Sequence, residues 1–236
     1  MSIDKQNLEK LYPTWIMRVM KEIKVTEDQA WQLIFKAFEG GEFGDAPCRG
    51  TWLTFLKETK NIKVFEDWLN DRLIPNTVFL NFDDYAEMCI DALKVVDKTT
   101  ATDYGTTRQR DYGQLWADIT RGYLGEKGVE KFLYEKHGVE VDLPHERGEL
   151  NTFLDSDIGR VKKSAEERRE SKIKISIKAV KFNGIWMDIT GQQPHHSDYF
   201  VQAKVGVGRK HLFEFFHELG VFEKLIFPKG RELEIL

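Results

Sequence analysis

Apolar residues recur three and four apart through the first hundred positions. Trp15, Ile16, Val19, Met20 and Ile23 form one series, and Trp31, Ile34, Phe35 and Phe38 form a second. That spacing places each set along one side of an α-helix. The second series opens on Thr26-Glu-Asp-Gln29, which has the form of a capping box. Glycines and a proline in 39–47 break the helical pattern. Further helices are predicted at 51–59, 64–72 and 82–97. The run 98–110 is polar, β-branched and glycine-containing, and reads as a linker or exposed loop. A long helical pattern then covers roughly 111–137, with Leu115, Ile119, Val129, Phe132 and Leu133 as its apolar positions. Gly122, Gly125 and Gly128 interrupt it. Each glycine costs a helix interior about 1 kcal/mol, so the pattern calls either for close approach of another backbone or for a break between two helices.

After Gly138 the period changes from helical to alternating. Val139-Glu-Val-Asp-Leu143 reads as a short strand ended by Pro144, and Leu154–Gly159 as a brief apolar and acidic piece. Ile173, Ile175 and Ile177 alternate with Lys174, Ser176 and Lys178, the pattern of a half-buried strand. Asn183-Gly184 predicts a two-residue hairpin, with 185–189 as the returning strand. A further strand is predicted at 199–205 and an amphipathic helix at 211–219. The chain is thus a mixed α/β (α+β) protein: a helical region over 1–104 and an α/β core over 105–236.

Composition fits this picture. The 236 residues are 41% hydrophobic and 31% charged, as in a globular protein with a sizeable core. No apolar run reaches the length of a membrane span, and the opening MSIDKQNLEK lacks the form of a signal peptide. The two cysteines, Cys48 and Cys89, make neither a disulfide framework nor a zinc site. A cytoplasmic protein with reduced thiols is expected. The net charge of -4 excludes a protein that simply coats nucleic acid. The charge is uneven, however. Residues 160–181 hold nine Lys/Arg and three Asp/Glu, a local net of +6. Such a run is either a solvated loop or a segment that tracks phosphates.

The candidate chemistry lies beside this run. Asp157 falls where a short piece ends, and Lys178 sits two residues from Ser176 on the same face of the Ile-alternating strand. A carboxylate can hold a hard cation, the cation can activate water, and an ammonium can orient that water and offset phosphate charge. The element order, Gly125-Glu126 and Val129-Glu130 on the long helix, Gly138-Val-Glu-Val, Ser156-Asp-Ile-Gly159 and Ile175-Ser-Ile-Lys-Ala-Val-Lys181 together resemble the PD-(D/E)XK nuclease superfamily, and within it the type II restriction endonucleases. The resemblance covers about 111–205. It implies an αβββαβ core around a central mixed sheet, with the helical region supplying recognition surface or dimer contacts. It implies Mg²⁺-dependent hydrolysis of double-stranded DNA, with Mn²⁺ as substitute, leaving 5′-phosphate and 3′-hydroxyl ends. A homodimer would cut both strands.

In that resemblance Asp157 binds metal and Lys178 positions the attacking water. Ser156 stands where the family often has proline, and Ser176 where it usually has Glu or Asp. The missing acid would come from Glu126, Glu130 or Asp188. A second match, Asp157 with Glu170 and Lys172, lies in a more solvated run. DNA contacts are expected from Lys162, Lys163, Arg168, Arg169 and Lys181, and from Arg49, Arg108 and Arg110. His195 and His196 lack ligand spacing, and Gly206-Val-Gly208-Arg209 reads as a turn. A repair or junction-resolving nuclease, or a DNA-binding module with a decayed site, are the rival readings.

Overall fold

The computed structural model describes residues 5–39, 59–98, 111–143, 156–163, 167–182, 193–207 and 211–235, together with 184, 186, 187 and 189. The helical first half is present. Helix α1 (Lys5–Ile23) packs against α2 (Glu27–Glu39) and α3 (Thr59–Trp68), which continues as a π-helical turn over Leu69–Leu73. The apolar series of α1 and α2 meet here. Trp15, Ile16, Val19, Ala30, Ile34, Phe65 and Leu69 form one buried cluster, against which Phe182 from the second half also packs. The capping box of α2 closes reciprocally. Thr26 Oγ1 accepts from the Gln29 amide at 3.3 Å, and Gln29 Oε1 accepts from the Thr26 amide at 2.9 Å. Helix α4 (Phe82–Val95) starts on a second such box, Asn81 with Asp84.

Helix α5 (Tyr112–His137) is a single rod. The Asp111 side chain caps its start by accepting from the Gln114 amide at 2.8 Å, and Gly138, at φ 64°, ends it in the left-handed conformation. It runs unbroken through all three glycines, and only one of them meets another backbone closely. A Cβ on Gly125 would sit 2.6 Å from Ala179 Cβ and 3.4 Å from Ala203 Cβ, whereas Gly122 and Gly128 have open space. Gly125 is where α5 presses onto the sheet.

Among the described residues five strands follow: β1 (Val139–Asp142), β2 (Arg160–Lys163), β3 (Arg169–Glu170), β4 (Ile175–Lys181) and β5 (Tyr199–Val205). Two departures from the sequence expectation appear. The strands form two sheets among the described residues, an antiparallel β1-β2-β3 and a parallel β4-β5, where one central mixed sheet was expected. The partner of β4 is also not a hairpin return. Gly184 does make a turn, its amide donating to Lys181 O at 2.7 Å. Residues 184, 186, 187 and 189 are in no strand, while Asn183, Ile185 and Asp188 lie outside the described residues. Instead β4 pairs in parallel with β5, in the register Ile177↔Val201 and Lys178↔Gln202. The two sheets are stitched by 156–159. Asp157 N–H donates to Ile175 O at 2.8 Å, and Gly159 N–H donates to Asp142 O at 3.0 Å.

A second core lies under α6 (His211–Glu218), where Met88, Cys89 and Ala92 of α4 meet Trp116, Tyr123 and Leu124 of α5, Val205 and Phe215. A third joins Val141, Leu143, Ile158 and Ile177 to Val129 and Leu133 of α5. The chain closes on a π-helical turn, Phe222–Ile226, and α7 (Phe227–Glu232). No helix among the described residues is long and apolar enough to cross a membrane.

Candidate active site

Strand β4 alternates as its sequence predicts. Ile177 packs with Val129 and Leu133, and Ala179 lies under Gly125, so the odd-numbered positions face α5. Ser176 and Lys178 therefore point to the other face. Asp157 is fastened to the start of this strand. Its Oδ2 accepts from the Ile177 amide at 2.5 Å and from the Ser176 hydroxyl at 3.4 Å. Ser156 adds a second stitch: its hydroxyl accepts from the Ile175 amide at 3.1 Å and donates to Ile158 O at 2.8 Å. Here a serine makes hydrogen bonds of which proline is incapable, since a proline side chain carries neither donor nor acceptor.

The carboxylate of Asp157 is thus half committed. One oxygen belongs to the strand, while Oδ1 takes no hydrogen bond among the described residues and remains available to a cation. Lys178 is half-buried one residue beyond the Ile177 amide, with no ion pair among the described residues. Asp157, Ser176 and Lys178, read from the sequence as one constellation, are brought to one short stretch of backbone.

The auxiliary carboxylates stand elsewhere. Glu126 is buried on α5, and Glu130, also on α5, pairs with Lys127 at 3.0 Å. That helix covers the odd-numbered face of β4. Asp188 lies outside the described residues. No three His, Cys, Asp or Glu side chains are grouped for metal binding among the described residues. The donor set nonetheless suits Mg²⁺, which takes one or two carboxylates and keeps several waters or substrate oxygens.

Part of the basic stretch is tied up in ion pairs. Lys162 reaches Glu140 at 3.5 Å, Arg168 bridges Glu140 and Asp142, and Arg160 meets Glu170 at 2.8 Å. Glu170 of the alternative motif is thereby paired with Arg160, on an exposed strand edge. Lys163, Lys172 and Lys181 carry no such pair among the described residues, and all three are exposed. Arg49, Arg108 and Arg110 lie outside the described residues. His195 ends a 3₁₀ turn before β5, and His196 follows it.

One feature escaped the sequence reading. A cavity of about 860 Å³ opens between α2, residues 76–82, α5 and β5, walled by Leu33, Phe79, Phe132 and Phe182 among others. Its walls come from segments far apart in the chain, so no local pattern announces it. No family model matches the chain, and neither does any curated protein or solved structure with which it was compared.

Proposed function

We propose that the protein is a sequence-specific type II restriction endonuclease that hydrolyses double-stranded DNA with Mg²⁺ and acts as a homodimer. The observation that carries this reading is the fastening of Asp157 to the Ile177 amide, beside Ser176 and Lys178 on β4. A rigid carboxylate with one free oxygen next to a lysine is the minimum such chemistry needs.

A bound Mg²⁺ would supply Lewis-acid activation of a water and of the scissile phosphate. Asp157 would hold it through Oδ1. Lys178 would orient the attacking water and offset charge on the phosphorus. The water oxygen bonds to phosphorus, the P–O3′ bond breaks, and the 3′-oxygen takes up a proton. The products carry 5′-phosphate and 3′-hydroxyl ends. A further carboxylate would complete the shell; of Glu126, Glu130 and Asp188, the first two lie on α5, across β4 from Lys178, so Asp188 stands first.

The test is incubation with long, unmethylated DNA and Mg²⁺, where discrete fragments are expected. Asp157→Asn and Lys178→Ala should each lower the cleavage rate at least about 10³-fold, with DNA binding retained. Ser176→Ala should cost far less, because its hydroxyl only supports Asp157 at a long 3.4 Å. Whichever of Glu126→Gln, Glu130→Gln and Asp188→Asn matches the Asp157→Asn defect identifies the second acid. Wild-type rates in both Asp157→Asn and Lys178→Ala would remove the site from β4.

A second reading, a DNA-binding module without catalysis, draws on Ser176, which offers Asp157 a hydroxyl where a second acid would stand. Salt-dependent DNA binding with no cleavage in Mg²⁺ or Mn²⁺ separates the two.

A further inference from the structure

Gly128 has no explanation in the packing of α5. A glycine costs a helix interior about 1 kcal/mol, and a Cβ at 128 would meet nothing within 4 Å. Gly125, Gly128, Val129 and Phe132 recur three and four apart, so they lie along one stripe of the helix. That stripe walls the cavity of about 860 Å³. The missing side chain at 128 is part of what keeps the cavity open.

The other walls are apolar in body and cationic in charge. Val78, Phe79 and Leu80 come from the segment before α4, Leu33 from α2, and Phe182 from the residue after β4. Among the described residues that line the cavity there is no Asp or Glu, while Arg72 and Lys204 are both present. In a chain with 39 acids and 35 bases, that exclusion is a local property and not a reflection of composition. Arg72 stands exposed on the π-helical turn after α3 and makes no ion pair among the described residues. An apolar cavity with bases and no acids holds a positive potential and draws anions. A guanidinium presents a planar fork of donors that matches a carboxylate or a phosphate. The volume falls within the roughly 300–1,000 Å³ of small-ligand sites, which combine apolar walls with a few polar anchors.

We propose that this cavity binds a small amphipathic oxyanion, its apolar chain or ring among Phe79, Phe132 and Phe182 and its carboxylate or phosphate head on Arg72. Gly128 leaves the room that the apolar body fills. The site is independent of the nuclease reading, since none of Asp157, Ser176 and Lys178 lines it.

Calorimetric titration of the full chain with decanoate, decyl phosphate and decan-1-ol, each below its aggregation threshold, tests it. At least one of the two anions should bind and raise the melting temperature, and the tighter of them names the head group. Decan-1-ol has the same chain without the charge and should bind at least about 10-fold more weakly. Arg72→Gln should remove that difference, weakening the anion at least about 10-fold and leaving the alcohol unchanged. Gly128→Leu puts a side chain into the cavity and should abolish binding. Gly122→Leu, at an equally open helix position outside the lining, should leave it unchanged. Circular dichroism should show both leucine variants folded, because leucine is a better helix former than glycine. Failure of both anions to bind the wild-type chain overturns the proposal. So does binding that survives Gly128→Leu in a folded chain, or that is indifferent to Arg72→Gln.

Discussion

His211 shows how one buried side chain shapes the response of the molecule to acid. Its imidazole stacks on Trp116 at 5.3 Å and lies 3.3 Å from the Tyr85 hydroxyl, which donates to the His211 carbonyl at 2.7 Å. Burial pushes its pKa down, the nearby Arg121 adds to that, and Glu214 opposes it. Neutral imidazole is therefore favoured in the folded state. Below the unfolded pKa, about 6.5, the unfolded chain binds a proton that the folded chain resists. The contribution is fully present above about pH 6.5 and is lost as pH falls from there through the depressed folded value. Melting curves of wild type and His211→Phe should diverge accordingly, with the wild type losing more of its melting temperature between neutral and mildly acidic pH. The same cluster explains the silence of Cys89. Burial raises its thiol to about 11, so it stays protonated and unreactive at neutral pH. Asp157, Ser176 and Lys178 were legible in the sequence because a strand's two-residue period fixes which side chains share a face. The burial of Glu126 was not, since a glutamate within a helix looks the same whether it faces solvent or core.

At the scale of elements, the three glycines of α5 separate two effects that the sequence alone merges. Gly125→Ala would drive a methyl to 2.6 Å from Ala179 Cβ and 3.3 Å from its Cα. The helix must lift off β4, at a cost of about 1–3 kcal/mol. Gly122→Ala and Gly128→Ala meet nothing within 4 Å and should instead stabilise by up to about 1 kcal/mol through helix propensity. Urea unfolding of the three single variants checks the sign of each change. The strands divide in the same way. The alternation of isoleucines announced β4. Strand β2 carries one apolar residue, Val161, in Arg160-Val-Lys-Lys163, and forms with its charges set against the acids of β1, Lys162 opposite Glu140 and Arg160 opposite Asp142, and with Val161 opposite Val141. A strand held by its neighbour's charges leaves no periodic trace in its own sequence. At Gly184 the turn was legible but the pairing was not, because a turn is local, whereas the pairing of β4 with β5 joins strands well separated in the chain.

For the whole molecule, the charge distribution refines where nucleic acid would touch. Arg168 and Lys162 are engaged with Glu140 and Asp142, so removing them should chiefly loosen β1 against β2. Lys163, Lys172 and Lys181 remain exposed. If DNA binds near Asp157, replacing these three with Ala should flatten the salt dependence of binding by about two to three units of slope. Arg168→Ala should change that slope by less than one. Salt titrations of both variants distinguish a phosphate-tracking surface from a solvated one. That helices precede Gly138 and the strands follow it was legible from the change of period there. The second core, which joins α4 to α5, β5 and α6, did not follow, because contacts over more than a hundred residues leave no mark on local periodicity.

The fastening of Asp157 to β4 has a consequence for the order in which this protein comes into being. The acceptor of the Ile177 amide is a side chain twenty residues upstream, and β4 finds its strand partner only at Tyr199–Val205. A parallel pair closes late, after the intervening chain has looped back. On the ribosome, α5 and Asp157 emerge well before the strand that completes their surroundings. The carboxylate, the lysine and the strand that aligns them are therefore assembled only once β5 has emerged, and a chain stopped short of β5 would carry Asp157, Ser176 and Lys178 without the backbone pairing that holds them in place.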